Sequence, residues 1–255
     1  MGGEEAVLFL ALAKKVLPKS VKKELLARKA KWDGYLESRR NRHRATSEVF
    51  SEIYKNNIWG GEDHVLFSGP GSRGVLAEQY ADKINEFIKA NNVLSVVDVG
   101  CGDFHVGSGL KCEDYTGIDV VPDLISHNQA TFGTPGRRFL CLDVAGSEPL
   151  PSADLVLIRQ VLQHLSNAQI ETILRKLAPF KYVIVTEHQP SASDFRVANL
   201  DHVHGSSTRL LRGSGVYLDK PPFGRSVELL LECPGDDSAN DAHNRGPIRS
   251  FLVKV

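Results

Sequence analysis

The stretch Val93–Asp119, VLSVVDVGCGDFHVGSGLKCEDYTGID, decides the fold. Val93, Leu94, Val96, Val97 and Val99 form a short apolar, largely β-branched run, which suits a strand buried on both faces. The run ends in Asp98-Val99-Gly100-Cys101-Gly102, where two glycines let the backbone turn sharply and come close to a ligand. A second short strand, Tyr115 to Ile118, ends in Asp119, 19 residues beyond the first glycine. In a doubly wound fold, an acid at the tip of the second strand, about 20 residues after the glycine turn, grips ribose hydroxyls. The stretch reads as a nucleoside-binding crevice at the carboxyl ends of parallel strands.

A dinucleotide fingerprint needs G-x-G-x-x-G, and His105 holds its third position here. Asp98, two residues before the first glycine, suits a ligand with an ammonium group better than a pyrophosphate. VVDVGCGDF resembles the first motif of the class I S-adenosylmethionine-dependent methyltransferases. The usual D-x-G-x-G-x-G would place a third glycine at 104, where this chain has Phe104, so the start of the following helix is expected to differ. The resemblance implies an α/β, Rossmann-like, seven-stranded and mostly parallel sheet, with S-adenosyl-L-methionine as cofactor.

The 255 residues, 42% of them hydrophobic, are enough for one sizeable core. The net charge is zero, so nothing global points to nucleic acid. Residues 1–45 nevertheless hold twelve Lys/Arg against five Asp/Glu. We therefore divide the chain into a basic helical extension, 1–45, and a methyltransferase domain, 46–255. Four scattered cysteines make neither a disulfide framework nor a zinc pattern, and fit a reducing cytoplasm. No apolar run approaches the ~18 residues of a membrane span, and Glu4 and Glu5 before Ala6–Ala13 argue against a secretory signal.

Helices are expected over 5–17 and 20–42, separated by Pro18. This arm packs on the domain or a partner subunit, or attaches peripherally to the anionic inner face of a membrane. Thr46 or Ser47 can cap a further helix through Tyr54. Then come Trp59-Gly60-Gly61 and Ser68-Gly69-Pro70-Gly71-Ser72-Arg73-Gly74. Such a glycine-rich loop is either a flexible connection or a source of backbone N–H groups. IYKNNIWGG…SGPGS resembles a bacterial subgroup of these methyltransferases associated with polysaccharide and glycoconjugate synthesis, which implies that the segment closes over the methionine end of the cofactor. Helix 74–90 follows, with Leu76, Tyr80, Ile84, Phe87 and Ile88 as its core stripe.

Further strands are expected at Arg138–Leu142, Ala153–Ile158, Tyr182–Thr186, Val227–Leu231 and Ile248–Val253, with helices at Pro122–Thr131 and 168–177, the latter opened by Ser166. The stretch Pro234–Gly246 reads as a surface loop. Arg159-Gln160-Val161-Leu162-Gln163-His164-Leu165-Ser166 resembles the R-D-x-x-x-H-L-S segment of small-molecule methyltransferases, with Gln160 in place of the acid. The resemblance continues through Asn199-x-Asp201, Gly205, Arg209 and Pro221-Pro222-Phe223, so that it spans about residues 46–232.

The resemblance implies a cofactor site of Trp59, Ser72, Asp98, Gly100, Cys101, Gly102, Asp119, Val120, Asp143, Val144 and Arg159, with Asp143 accepting from the adenine amino group. His164 is the expected general base, with His188 and Asp201 in reserve. The other reading of His164 is a structural histidine capping a turn. Asp201-His202-x-His204 is either a divalent-metal site, as in some sugar methyltransferases, or a solvated loop with one or two substrate contacts; the second reading is taken and no metal is assigned. Arg209 and Arg212 hold an anionic substrate group or are surface charges. The acceptor implied is a hydroxyl of a sugar or glycoconjugate, and another small metabolite or natural product is the alternative. Two other classes stand against the enzyme. A nicotinamide-dependent oxidoreductase would want the missing third glycine, and a nucleoside-binding protein without activity would tolerate loss of Asp98, Asp119 and Asp143, all present.

Overall fold

The computed structural model describes residues 19–62, 66–235 and 245–254. The expected helix 5–17 and most of the 234–246 loop lie outside them. A seven-stranded sheet organises the chain: β1 (Ser95–Val99), β2 (Asp114–Asp119), β3 (Arg137–Cys141), β4 (Leu155–Arg159), β5 (Tyr182–His188), β6 (Ser226–Cys233) and β7 (Ile248–Lys254). The spatial order is β3-β2-β1-β4-β5-β7-β6. The first five strands run parallel, and β7 is antiparallel to both its neighbours. This is the expected Rossmann-like methyltransferase fold.

The central strands are apolar on both faces, as strands covered by helices on either side must be. Val97, Val99, Val156, Ile158, Val183 and Val185 join one core cluster, with α2 (Thr46–Lys55) and α5 (Asn167–Lys176) packed over it. Val96, Leu155, Leu157 and Ile184 face the other cluster, covered by α3 (Val75–Ala90). α4 (Pro122–Phe132) sends Leu124 into the first cluster and Ile125 into the second. Ser166 caps α5 in a reciprocal box with Gln169, as the sequence indicates.

Several local expectations change. Ala45, not Thr46 or Ser47, is the N-cap of α2, because Thr46 is buried inside the helix with its hydroxyl accepting from Gln169 Nε2 at 3.3 Å. Leu76 leaves the core stripe of α3 and faces the crevice described below, and Ala77 and Ala81 are buried instead. Between β1 and β2 the helix is replaced by a single turn of 3-10 helix, Gly107–Gly109. Phe104 explains the change. It adopts the glycine-like φ of +62°, and its buried ring packs on Tyr115, Phe132 and Phe139 at centroid distances of 5.0–5.2 Å.

The amino-terminal helix α1 (Lys19–Asn41) is joined to the domain by its last turns. Asn41 is fully buried and donates from Nδ2 to the His204 carbonyl at 3.1 Å. Glu37 accepts from the Ser206 amide (2.7 Å) and hydroxyl (2.8 Å) and from the Ser207 amide (3.3 Å). No described helix is long and apolar enough to cross a membrane.

Candidate functional site

One crevice of about 1180 Å³ opens along the carboxyl ends of β1, β2, β4 and β5. Pockets for drug-sized ligands occupy roughly 300–1,000 Å³, so this one has room for a nucleoside cofactor and an acceptor together. The predicted residues Trp59, Ser72, Asp98, Gly100, Cys101, Gly102, Asp119, Val120, Asp143, Val144, Arg159, His164 and His188 all line it. Asp201 does not join them: it is exposed, and its Oδ1 accepts from the amides of Asn167 (2.7 Å) and His202 (2.9 Å).

The floor is the glycine turn. Gly100 and Gly102 have φ of +71° and +56°, which favour glycine, and a Cβ at either position would run into Val161 or Ser68. The Gly102 amide donates to Asp119 Oδ2, and the Val121 amide to Oδ1, both at 3.2 Å. The acid that would grip a ribose therefore also sets the turn beside it. Burial raises Asp119 to about 6, against the pull of those amides. Burial likewise raises Asp98 to about 6, although the Tyr115 hydroxyl donates to it at 2.7 Å and Arg159 lies near. Asp143, expected at the adenine, accepts from the Ala145 amide at 2.9 Å, beside the buried Val144.

The glycine-rich loop is docked, not merely connecting. The Ser68 amide donates to Asp103 Oδ2 (3.0 Å), and the Asp103 amide donates back to the Ser68 hydroxyl (2.7 Å), which also meets Tyr54 Oη at 2.8 Å. Arg73 grips the same Asp103 with both terminal nitrogens, at 2.7 and 3.2 Å, and donates to the Ser72 hydroxyl, itself bound to the Gly69 carbonyl. Gly71 lets the loop press against Gln160, and its carbonyl accepts from Arg159 Nη2 at 2.7 Å. Sequence reasoning singled out the segments that hold Tyr54 and Ser68 without naming either as a site residue, and it missed Asp103, whose place directly after the second glycine was the available signal.

The other end of the crevice lies beyond the tip of β4. The His164 ring lies against Trp59 at 5.2 Å, tilted by 48°, and meets Phe50 edge-on at 6.4 Å. Trp59 is held in turn by Tyr54 and by its Nε1, which donates to the Ser206 carbonyl at 3.3 Å. Burial lowers His164 to about 4, so its ring is neutral at neutral pH. Four buried polar atoms here have no partner among the described residues: His164 Nδ1, Gln163 Oε1, His202 Nε2 and Thr208 Oγ1. All four residues line the crevice. His188 sits at the tip of β5, its Nε2 near the carbonyls of Arg245 (3.0 Å) and Gly246 (3.2 Å).

Arg209 proves to be neither a substrate contact nor a surface charge. It is 1% exposed and donates to the carbonyls of Leu200, Leu162 and Leu165 and to Asn167 Oδ1. Its partner in charge is the buried Glu187, which burial raises to about 8 and whose oxygens accept from the amides of Leu162 and Gln163. Together these two fix the loop that presents His164. The N-x-D…G…R…PPF pattern is largely this scaffolding. Asn199 stitches the Tyr217 and Pro221 carbonyls at 2.9 and 2.8 Å, and Gly205 leaves space that Glu37 fills. No group of three or more His, Cys, Asp or Glu suited to a metal occurs among the described residues.

The crevice fits S-adenosylmethionine on its own geometry. Arg159 Nε is buried without a partner beside the docked loop, suited to a carboxylate, while the Asp98 carboxylate suits the neighbouring ammonium. Residues 97–181 match the model of a family described as "Methyltransferase domain". No curated protein matches the sequence. Among solved structures, the N-methyltransferase NodS from Bradyrhizobium japonicum WM9, in complex with S-adenosyl-L-homocysteine, superposes with a TM-score of 0.52 at 15% identity, over 82% of this chain and 99% of that one. An S-adenosylmethionine-dependent methyltransferase from Clostridium acetobutylicum ATCC 824 gives 0.49 at 13%, over 81% and 97%. Residues 97–181 thus match a methyltransferase-domain family, and the chain has the class I methyltransferase fold.

Proposed function

We propose that the acceptor is a hydroxyl of a sugar or glycoconjugate, with polysaccharide or glycoconjugate synthesis as the setting. The observation that carries this is the acceptor end itself, where an aromatic wall, Trp59, stands beside the four unpartnered polar atoms of Gln163, His164, His202 and Thr208. Buried polar atoms without partners are costly, and a polyhydroxylated ligand would satisfy them. A tryptophan face beside such donors and acceptors suits the mixed apolar and polar surface of a sugar ring.

When bound, the cofactor supplies an electrophilic methyl group on a sulfonium. The chain's own part is alignment and proton management. Asp98, Arg159 and the docked 68–73 loop hold the methionine end, Asp119 the ribose, and Asp143 with Val144 the adenine. His164, neutral above about pH 4, takes the acceptor proton at Nδ1. That role requires the ring proton on Nε2, which stands 3.4 Å from the Gln163 amide group. The Gln163 amide is then turned so that its oxygen accepts from His164 Nε2, which leaves its nitrogen, in place of its oxygen, as the unpartnered atom at the crevice.

Labelled S-adenosylmethionine, incubated with a panel of sugar nucleotides, glycans and small amines, tests the reading. Label on a sugar oxygen is expected, and label on nitrogen or on none of the sugars overturns it. His164→Ala should lower kcat by about 10²–10⁴ with unchanged S-adenosylhomocysteine affinity and melting temperature. A stable variant with near wild-type kcat moves the proton to His188 or to water.

The amino-terminal helix belongs to the same proposal. Val21, Leu25, Trp32 and Leu36 are exposed on α1 and, at 100° per residue, share a face about 60° wide. Arg28 and Arg39 lie on that face too, while Glu37 and Asn41 hold the opposite side to the domain. An apolar face flanked by cations suits an anionic membrane surface on the cytoplasmic side. Sedimentation with phosphatidylserine vesicles at low salt, lost in a Leu25→Ser, Trp32→Ala variant, is expected. A full-length protein that never sediments removes this contact.

A further inference from the structure

Beyond the aromatic wall and the unpartnered atoms, the acceptor end holds a charged group for which neither the cofactor nor the proton transfer has a use. Arg212 ends a 3-10 turn, Leu210–Arg212, and lines the crevice with His202, Thr208 and His164. The turn is rigidly placed. Arg209, at its start, is anchored by four hydrogen bonds, and Gly213 closes it at φ +69°, a position where a Cβ would press on Asp194 and Arg196. Among the described residues, the Arg212 guanidinium has no hydrogen bond and no ion pair, although it is only partly exposed.

The carboxylates near it are already engaged. Glu37 accepts from the Ser206 and Ser207 amides and the Ser206 hydroxyl. Asp201 is taken by the amides of Asn167 and His202, and Asp33 by Lys29 at 2.5 Å. Burial lowers the Arg212 pKa, and the charges of Asp201 and Glu37 only oppose that effect from a distance. A guanidinium fixed on a rigid turn, partly desolvated and without a partner, is the fork that recognises carboxylate or phosphate. The same charge, with that of Arg209, helps keep the buried His202 ring neutral beside it. His202 is thus left as a hydrogen-bonding group and not a second cation.

We propose that the acceptor sugar carries an anionic group, a carboxylate or a phosphate, which Arg212 binds while His202 and Thr208 bond its neighbouring hydroxyls. This rests on the sugar reading above. It makes Arg212 a specificity residue, supplied by the 209–212 turn and not by the parallel sheet. The anion fixes which hydroxyl lies against His164.

The test is calorimetric titration of the protein, saturated with S-adenosylhomocysteine, with D-glucuronate, α-D-glucose 1-phosphate and D-glucose, followed by methylation assays with the same three. One of the two anions should bind at least tenfold more tightly than glucose, and which one does so tells carboxylate from phosphate. Arg212→Gln should erase that preference, and Arg212→Lys should restore part of it, since lysine keeps the charge without the fork; loss of a charged hydrogen-bonded contact corresponds to about ten- to hundredfold. Retained S-adenosylhomocysteine affinity shows that the variants are folded. Equal binding of charged and neutral sugars, or a preference that survives in Arg212→Gln, overturns this proposal alone. Binding and methylation of none of the three, with cofactor-product binding intact, overturns the sugar reading and this proposal with it.

Discussion

Cofactor binding should release protons at mildly acid pH, because the two acids proposed to meet the cofactor are held partly protonated there. Asp98 and Asp119 both sit at about 6 in the free protein, raised chiefly by burial. The sign follows from which form the ligand needs. Asp98 must be ionised to pair with an ammonium, and Asp119 must be ionised to accept from two ribose hydroxyls while holding the Gly102 and Val121 amides. At pH 7.5 nearly all of each group is ionised, and at pH 5 about one-tenth. The affinity for S-adenosylhomocysteine should therefore fall by about tenfold per group, or about a hundredfold for the pair, between those values. The charge of Asp119 adds to the rise at Asp98, so the observed midpoints belong to the pair.

Calorimetry at pH 5.5 in two buffers of different ionisation enthalpy measures the protons directly. About 1.5 should leave per cofactor bound, and about half that number in Asp98→Asn, which still accepts from Tyr115 but has no proton to lose. The free protein behaves in the opposite sense. Acids whose pKa is raised by folding stabilise the fold at low pH, and that contribution is lost as pH rises from about 4 to 6. Thermal stabilisation by S-adenosylhomocysteine should thus be greater at pH 7.5 than at pH 5. An affinity that does not change over this range, with no proton released, would refute the assignment of both carboxylates.

Phe104→Gly should relieve the positive φ yet destabilise the protein by about 2–3 kcal/mol, because the lost ring packing outweighs the backbone gain of about 1 kcal/mol; urea unfolding checks it, and a stabilised variant would show that the aromatic cluster contributes little. Arg209→Met removes four hydrogen bonds from a buried cation and leaves Glu187 without its countercharge, so a loss of about 3–5 kcal/mol is expected. A loss below about 1 kcal/mol in the same assay would mean that the His164 loop does not depend on it.

The parts of this protein that could be read from sequence are those in which the cause is local. The run from Val93 to Val99 carries its own period and its own terminating glycines, and the structure pairs it between β2 and β4. Ser166 and Gln169 make their capping box within four residues. Asp119 was legible because its spacing from Gly100 is fixed by one strand-turn-strand unit, the same unit that brings its carboxylate under Gly102. Where the partner is distant in sequence, the reading failed. Thr46 is a good cap by type, but Gln169, 123 residues away, claims its hydroxyl inside the helix. Arg209 and Arg212 look alike in the sequence and differ completely in the fold, one locked among carbonyls contributed by residues 162 to 200 and the other without a partner at the crevice. Phe104 occupies a glycine's conformation because three aromatic rings from other segments surround it.

The two ends of the crevice are built differently, and this bears on how specificity is held. At the end proposed for the cofactor, the strands themselves present the candidate ligand groups: Asp98 within β1, Asp119 ending β2 and Arg159 ending β4. Sheet hydrogen bonds place them, so little else is needed. The end proposed for the acceptor has almost no regular structure between Gln189 and Arg225, and its backbone groups must find partners elsewhere or cost roughly 1–3 kcal/mol each when buried. Arg209 satisfies three carbonyls, Glu187 two amides, and Glu37 with Asn41 two amides and a carbonyl. The last pair comes from α1, on the far side of the charge break at residue 45. Asp33, Gly34 and Glu37 of that helix line the crevice as well. The end of the basic arm and the loop at residues 204–207 are therefore one structural unit, and a substitution at Glu37 or Asn41 would loosen both together.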